Sequence, residues 1–374
     1  MPAQPQSCNA NKICYFKNAN DAVGGMDVLQ TISSTVTLWP SNFSRDGYGF
    51  AGWSTTYDYS DPTGFYGPME TISLNTSDYA TTGLSLYAHW VPAETGVTMQ
   101  TFNPNTSPYS TKLIGTVIAL KDARDNDTYA VAKLADGKWW MIENLRLDYD
   151  ANITPANTQS NNGSFGGVFI GLAEAEGPWV DGNTAANSLY TTEIDIPDKN
   201  TISGNNLDYR FPRYNNDNTS SRVSGSSYSV YRNVYSYGNY YTWAAAAADT
   251  SDYVSSGQSA VNTSICPNGW GLPYGRNTGD GNTPGGFYYL NYKINGDSNG
   301  QGSLPIRKYP NNILISGQIS NSSVYGRDDF GYYWSSSGIF NCAYYLSLSK
   351  GSVGPGTSDA YRFRGLNVRC VAGN

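Results

Sequence analysis

Apolar and polar residues alternate along several stretches of this chain. Thr35-Val36-Thr37-Leu38-Trp39 and Leu84-Ser85-Leu86-Tyr87-Ala88-His89-Trp90 both follow a period of two, which predicts half-buried strands; Leu84, Leu86, Ala88 and Trp90 share one face of the second. Between them Arg45-Asp46-Gly47-Tyr48-Gly49-Phe50-Ala51-Gly52-Trp53 reads as a turn followed by alternating aromatics. A further strand is predicted over Gly115–Asp122, and Thr128–Leu134 with Lys138–Leu145 form a hairpin around the tight-turn pair Asp136-Gly137. Near the end, Tyr344, Leu346 and Leu348 alternate with Tyr345, Ser347 and Ser349, so one face belongs to a core and the other is exposed. Helical signals are few: Tyr240–Trp243 running into Ala244–Ala248, where alanine propensity dominates, and Phe287–Ile294, with Phe287, Leu290 and Ile294 at helical spacing.

Other stretches lack a period. Residues 93–112, with Pro104 and Pro108 among Thr, Asn and Ser, read as a linker after Pro92. Residues 150–235 are rich in Asn, Ser, Gly and Tyr and too long for a structureless loop, so irregular structure pinned by aromatics is expected there. The resulting division is an N-terminal extension (1–12), a first unit (13–92), the linker (93–112) and a large second unit (113–374).

Only 14% of the 374 residues are charged, against about 25% in an average protein, while 31 tyrosines and 40 glycines enrich the chain in strand and loop formers. This is the composition of an extracellular, β-rich α+β protein. A net charge of −7 without a basic stripe argues against nucleic acid, and no apolar run is long enough to insert directly into a membrane. Met1–Gln6 has neither a basic nor an apolar region of the signal-peptide kind, so a leader or anchor is expected to have been trimmed. Five cysteines and one histidine, His89, make a structural zinc site a poor reading. The favoured pairings are Cys8 with Cys14 and Cys266 with Cys370; the odd Cys342 reads as a buried small hydrophobe in preference to an intermolecular or ligand-facing thiol.

Arg45-Asp46-Gly47-Tyr48-Gly49-Phe50-Ala51-Gly52-Trp53, followed by Leu86-Tyr87-Ala88-His89-Trp90, resembles the internalin-B-type B-repeat, or Listeria-Bacteroides repeat. That resemblance implies a β-grasp-like surface spacer over residues 13–92 with no chemistry of its own. Six further motifs occur in order: Leu120–Asp125 with Tyr129, Trp139–Leu145, Tyr237–Ala244, Cys266-Pro-Asn-Gly-Trp270, Tyr333–Ser336 and Val368-Arg369-Cys370. Together they resemble the Fibrobacter succinogenes major paralogous domain. The resemblance implies a C-type-lectin-like domain with long irregular insertions and a loop region as its binding face. After Trp270 the chain departs from that family, running through the glycine-rich Gly275–Gly286, so the second helix is expected to be shortened or displaced.

Catalysis is not expected. His89 lies on a strand of the first unit, far in sequence from Cys266, Cys342 and Cys370, and reads as a solvent-side strand residue rather than a catalytic base. C-type-lectin-like folds include formylglycine-generating enzymes, which the resemblance brings into play, but those need a redox-active cysteine pair and Cys266 and Cys370 stand in structural context. Calcium is the one cofactor raised: Asn295-Gly296-Asp297-Ser298-Asn299-Gly300 matches the first half of an EF-hand loop, but Ile306 stands where the closing Glu belongs, and turn chemistry accounts for the same residues. Asp122, Asp125 and Asp127 read as turn and cap residues.

The tail bracketed by Trp334 and Arg369 is the strongest candidate for function. Tyr, Ser, Gly and Asn are the residues binding loops favour, because they supply aromatic area and adaptable polar groups at small entropic cost. Ile339, Phe340, Asn341, Tyr345, Ser347, Tyr361, Arg362 and Arg364 are the expected ligand-binding residues, and the expected partner is an extracellular protein or glycan. A terminal segment of this kind held in a framework also resembles the variable proteins of diversity-generating retroelements. The runner-up is a structural module of a surface layer or appendage without a specific ligand.

Overall fold

A computed structural model describes residues 5–26, 29–147, 153–154, 156–159, 237–241, 243–248, 254–275, 283–296, 304–320, 323–326, 328–340, 342–361 and 364–374. The expectation for residues 150–235 therefore lies almost wholly outside the described residues. The described chain is β-rich with few helices, as the periodicities require.

The first unit supplies β1 (Lys12–Phe16), β2 (Gln30–Thr31), β3 (Thr35–Thr37), β4 (Tyr48–Ser54), β5 (Phe65–Tyr66), β6 (Thr71–Ser73) and the start of the long β7 (Leu84–Thr98). Next come β8 (Val117–Lys121) and the expected hairpin, β9 (Thr128–Lys133) and β10 (Trp139–Met141), turned at Gly137 with φ 82°. After these stand helix α1 (Trp243–Ala247), β11 (Val254–Ala260), β12 (Trp270–Gly271), α2 (Phe287–Asn295) and α3 (Leu304–Arg307). The chain closes with β13 (Gln318–Ser320), β14 (Ser323–Tyr325), β15 (Phe330–Phe340), β16 (Cys342–Ser349), β17 (Val353–Tyr361) and β18 (Val371–Ala372). The helix signals at Trp243 and Phe287 thus both produce helices; the second ends at Gly296, which takes the left-handed conformation and donates its N–H to the Tyr292 carbonyl.

One sheet runs in the order β12-β18-β10-β9-β8-β7-β1-β2, with β4 also paired to β7 and β5 to β4. The first half of β7 pairs with β1 in parallel and with β4 antiparallel, and its second half pairs in parallel with β8. Residues 93–98 are therefore strand, correcting their reading as linker. Residues 99–112 are also packed: Phe102 lies 4.7 Å from Tyr109, 5.5 Å from Trp139 and 5.6 Å from Trp270, ring centre to ring centre. Aromatic burial outweighs the loop-forming tendency of the prolines and polar residues around them.

The two units share one apolar core, in which Ile13, Trp53 and Leu86 of the first join Trp140, Phe287, Ile306 and Leu346 of the second. Polar contacts fasten the same seam. The buried Glu143 carboxylate accepts the Phe50 N–H at 3.1 Å and the Ala130 N–H at 2.6 Å, and Asn312 Nδ2 donates to the Ala51 carbonyl at 2.8 Å. Gly49 lets the two backbones approach, since a Cβ there would stand 2.4 Å from Ala130 N. This explains why β4 is buried on both faces rather than on one.

His89 sits beside this seam. Its ring stacks on Phe65 at 4.6 Å and tilts against Tyr59 at 4.5 Å, with Tyr309 at 6.1 Å, so it is an aromatic-cluster residue and not the solvent-side side chain its strand position suggested. Burial holds its pKa at about 4, against 6.5 for an ordinary imidazole. Between those values the unfolded chain holds a proton that the folded one rejects, so this residue's contribution makes stability fall as pH drops from about 6.5 to 4, by about 3 kcal/mol in all. Raised carboxylates such as Glu70 and Glu143 act with the opposite sign, because their folded forms take up protons first. Urea denaturation of wild type and His89→Phe across that range isolates the histidine: the gap between the two curves is expected to open on the acid side in the variant's favour.

Candidate binding face

The terminal framework is built on the disulfide from Cys266 to Cys370, both fully buried, and a second disulfide joins Cys8 to Cys14. Strand β18, just after Cys370, inserts between β12 and β10, so the chain's end is an internal strand of the large sheet. Trp270 and Trp334 are also fully buried, with their indole N–H groups donating to the carbonyls of Met99 at 2.8 Å and Tyr241 at 2.7 Å. Trp243 Nε1 donates to the Ser335 carbonyl at 2.9 Å, and Ser335 Oγ to the Tyr344 carbonyl at 2.7 Å. Each buried polar atom in these contacts has a partner, as the low dielectric demands.

Against this frame lies an antiparallel sheet in the order β11-β15-β16-β17. Along β16 the expected alternation holds: Ala343, Tyr344, Leu346 and Leu348 are buried, while Tyr345, Ser347 and Ser349 are half-buried and face the other way. The register sets Tyr332 opposite Ser347, Phe330 opposite Ser349, Tyr345 opposite Ser358, and Cys342 opposite Tyr361. A line of rings follows, with Phe330 stacked on Tyr332 at 6.2 Å and Tyr332 at 5.7 Å from Tyr345. Phe330 is 37% exposed at one end of this line, while Tyr332 and Tyr345 pack partly against the core around Trp334; Tyr361, 46% exposed, projects from the opposite face of the sheet.

Tyr345 is the centre of this face. Partial burial raises its phenol pKa, while the nearby Arg364 charge and a hydrogen bond with Ser358 oppose that rise. Arg364 is positioned by its own backbone, whose N–H donates to the Tyr361 carbonyl at 3.0 Å. The arrangement gives an aromatic surface with hydroxyls, a phenol and a guanidinium around it.

Of the expected ligand residues, Tyr345 and Ser347 share one face of β16, with Arg364 near enough for its charge to act on the Tyr345 phenol, whereas Tyr361, opposite Cys342, lies on the other face of the sheet. Ile339 is half-buried near the far end of β15, opposite Cys342. Phe340 is placed as the last residue of β15 but its side chain, like Asn341 and Arg362 entirely, lies outside the described residues. Cys342 is half-buried and not in a disulfide, which corrects its reading as a buried small hydrophobe. The sequence reading missed Phe330 and Tyr332. Their period-two spacing with Trp334 signalled a strand, but Tyr333-Trp334 drew the interpretation toward framework alone.

The acidic residues near the start of the second unit are structural. Asp122 and Arg124 form a buried ion pair at 2.7 Å, and Asp122 also accepts from Gln100 Nε2 at 2.8 Å. Asp127 pairs with Arg146 at 2.8 Å. Among the described residues no group of three or more His, Cys, Asp or Glu side chains is placed to hold a metal ion. Residues 297–300 of the EF-hand-like segment lie outside the described residues, and Asn295-Gly296 is a helix end. Comparison with protein-family models, characterised proteins and solved structures finds no match.

Proposed function

We propose that this chain is a non-catalytic extracellular recognition protein of bacterial type that binds a glycan or protein through the exposed face of β15, β16 and β17. The observation that carries the proposal is the line of rings Phe330, Tyr332 and Tyr345, exposed at Phe330 and half-buried at the other two, beside Ser347, Ser358 and Arg364. Rings beside hydroxyls and a guanidinium suit a sugar best: flat apolar faces of the pyranose stack, and polar neighbours take its hydroxyls. A purely structural module would bury these rings or pair them with another copy.

The motif resemblances agree with this reading. Cys266, Trp270, Trp334 and Cys370 are buried as the frame of a C-type-lectin-like domain of the Fibrobacter succinogenes major paralogous type would be, and the pairing of β7 with β1 and β4 is compatible with a β-grasp-like B-repeat. Two disulfides accord with an oxidising compartment, and no helix among the described residues is long and apolar enough to cross a membrane. Variation of the tail by a retroelement belongs to the same proposal; a neighbouring reverse transcriptase gene with a near-copy of the segment is its signature.

On a glycan array, wild type is expected to give specific hits. A Tyr345→Ala, Arg364→Ala double variant should lose at least about tenfold in affinity for them, as removal of central contacts does in other interfaces. Unchanged binding by a folded variant rules this face out.

A further inference from the structure

A second place for a ligand lies outside this face. Where the first unit meets the turns at the β15 and β16 ends, a cleft of about 290 Å³ opens between Gln30, Thr35, Thr37 and Trp39 on one side and Asp328 and Lys350 on the other. We propose that this cleft is a saccharide subsite, sized for one sugar ring or the end of a chain. It stands on its own geometry, independently of the β15–β17 reading.

The wall contributed by the first unit is pre-organised. The Trp39 indole stacks on Tyr15 at 5.7 Å with the planes 18° apart, and the Trp39 backbone N–H donates to the Tyr15 hydroxyl at 2.9 Å. Tyr15 in turn donates to Gln30 Oε1. The ring is therefore held before a ligand arrives, and only half-buried, which gives a sugar a fixed platform at little entropic cost. Met69 and Leu38, both buried, supply apolar lining. The opposite wall brings charge: Lys350 donates to Asp329 at 2.7 Å, and Asp328 accepts from Tyr237 at 2.8 Å. A carboxylate, an ammonium and hydroxyls around one indole match the alternating donors and acceptors of a sugar better than they match a strongly charged ligand.

The edge of β3 argues against a peptide. Leu38 N donates to the Glu70 carbonyl and Leu74 N to the Ser34 carbonyl, so the even-numbered residues of this stretch face β6 and the odd-numbered ones face away. On that open side the Thr35 carbonyl is taken by Ser33 Oγ at 2.6 Å and the Thr37 carbonyl by Gln30 Nε2 at 2.6 Å. An added strand would find these acceptors occupied, whereas a ligand read by side chains would not. At 290 Å³ the cleft is also at the small end of ligand pockets, which start near about 300 Å³.

The test uses the full chain and a panel of methyl glycosides and disaccharides: neutral hexoses, N-acetylhexosamines and hexuronates. Binding is read by ligand-observed NMR and by calorimetry. Thr35→Arg fills the cleft from an exposed position, and Lys350→Ala removes the rim ammonium without touching a core; each is expected to weaken binding about tenfold or more while leaving thermal unfolding unchanged. Trp39→Phe should abolish the ligand-induced change in tryptophan fluorescence. Tyr345→Ala should leave cleft binding intact, which separates this site from the β15–β17 face. The proposal is overturned if no panel member binds below about 10 mM, or if binding survives both Thr35→Arg and Lys350→Ala. Loss in Tyr345→Ala alone also overturns it and leaves the β15–β17 reading standing. So does capture of peptides, but no sugar, by wild type and not by Thr35→Arg.

Discussion

Replacing Cys266 and Cys370 together by Ala is expected to cost about 4.7 kcal/mol. The two residues are 104 apart in sequence, and the chain-entropy description makes the cost grow with the loop that the bond closes. The same description gives about 2.4 kcal/mol for Cys8 and Cys14, which are only 6 apart. Urea denaturation of the two double-Ala variants under identical conditions tests the ratio. Midpoints displaced equally would show that the long bond acts through something other than the unfolded chain. A larger m-value in the Cys266 and Cys370 variant is expected as well, because its unfolded state expands further.

Arg369→Met is expected to lose about 3–5 kcal/mol even though the replacement keeps much of the volume. The guanidinium is fully buried, and its Nε donates to Asn144 Oδ1 at 2.8 Å. Nη1 donates to the carbonyls of Met141 at 3.3 Å and Asn311 at 3.0 Å, and Nη2 to that of Asn312 at 2.5 Å. It also lies over the Tyr333 ring at 5.7 Å. One side chain thus ties the tail to β10, to the turn after it and to the segment following α3. Burial lowers its pKa, yet a guanidinium starts high enough to stay charged at neutral pH. Arg369→Lys should recover little, since an ammonium has one centre and cannot reach acceptors spread around a planar fork. Chemical denaturation measures the loss, and hydrogen exchange should show opening at residues 311–312 before the rest. A loss below about 1 kcal/mol would mean that water replaces the missing donors.

How far the fold was legible depended on the distance over which each signal acts. Strand β16 was readable because burial on one face imposes its own period on Tyr344, Leu346 and Leu348. Helix α2 was readable for the same reason, with Phe287 and Leu290 turned inward. The continuity of β7 was not. Pro92 sits inside it and polar residues follow, so local composition pointed to a loop, while the pairing with β8 that makes it a strand is fixed by partners more than twenty residues away. The seam between the units was equally hidden, because Glu143 and Asn312 look like ordinary polar residues until Phe50 and Ala51 are beside them. Within the proposed binding face, Tyr345 and Ser347 followed from alternation and composition. Phe330 and Tyr332 did not, since the register that lines them up with Tyr345 is a cross-strand property. The Trp39 cleft had no sequence signal at all, because its walls come from residues about three hundred positions apart.

Strand β7 also has a mechanical meaning. Its 15 residues pass from the first unit into the second as one strand, bulged against β8 where Gly96 takes a φ of 74°. Tension applied between the units is carried along covalent backbone and shared, in shear, by the hydrogen bonds to β1 and β8 that run beside it in parallel. A joint made of loop would swing under such a load. Here the joint is strand paired on both sides of the crossing, so a pull between the units loads backbone hydrogen bonds rather than a loop.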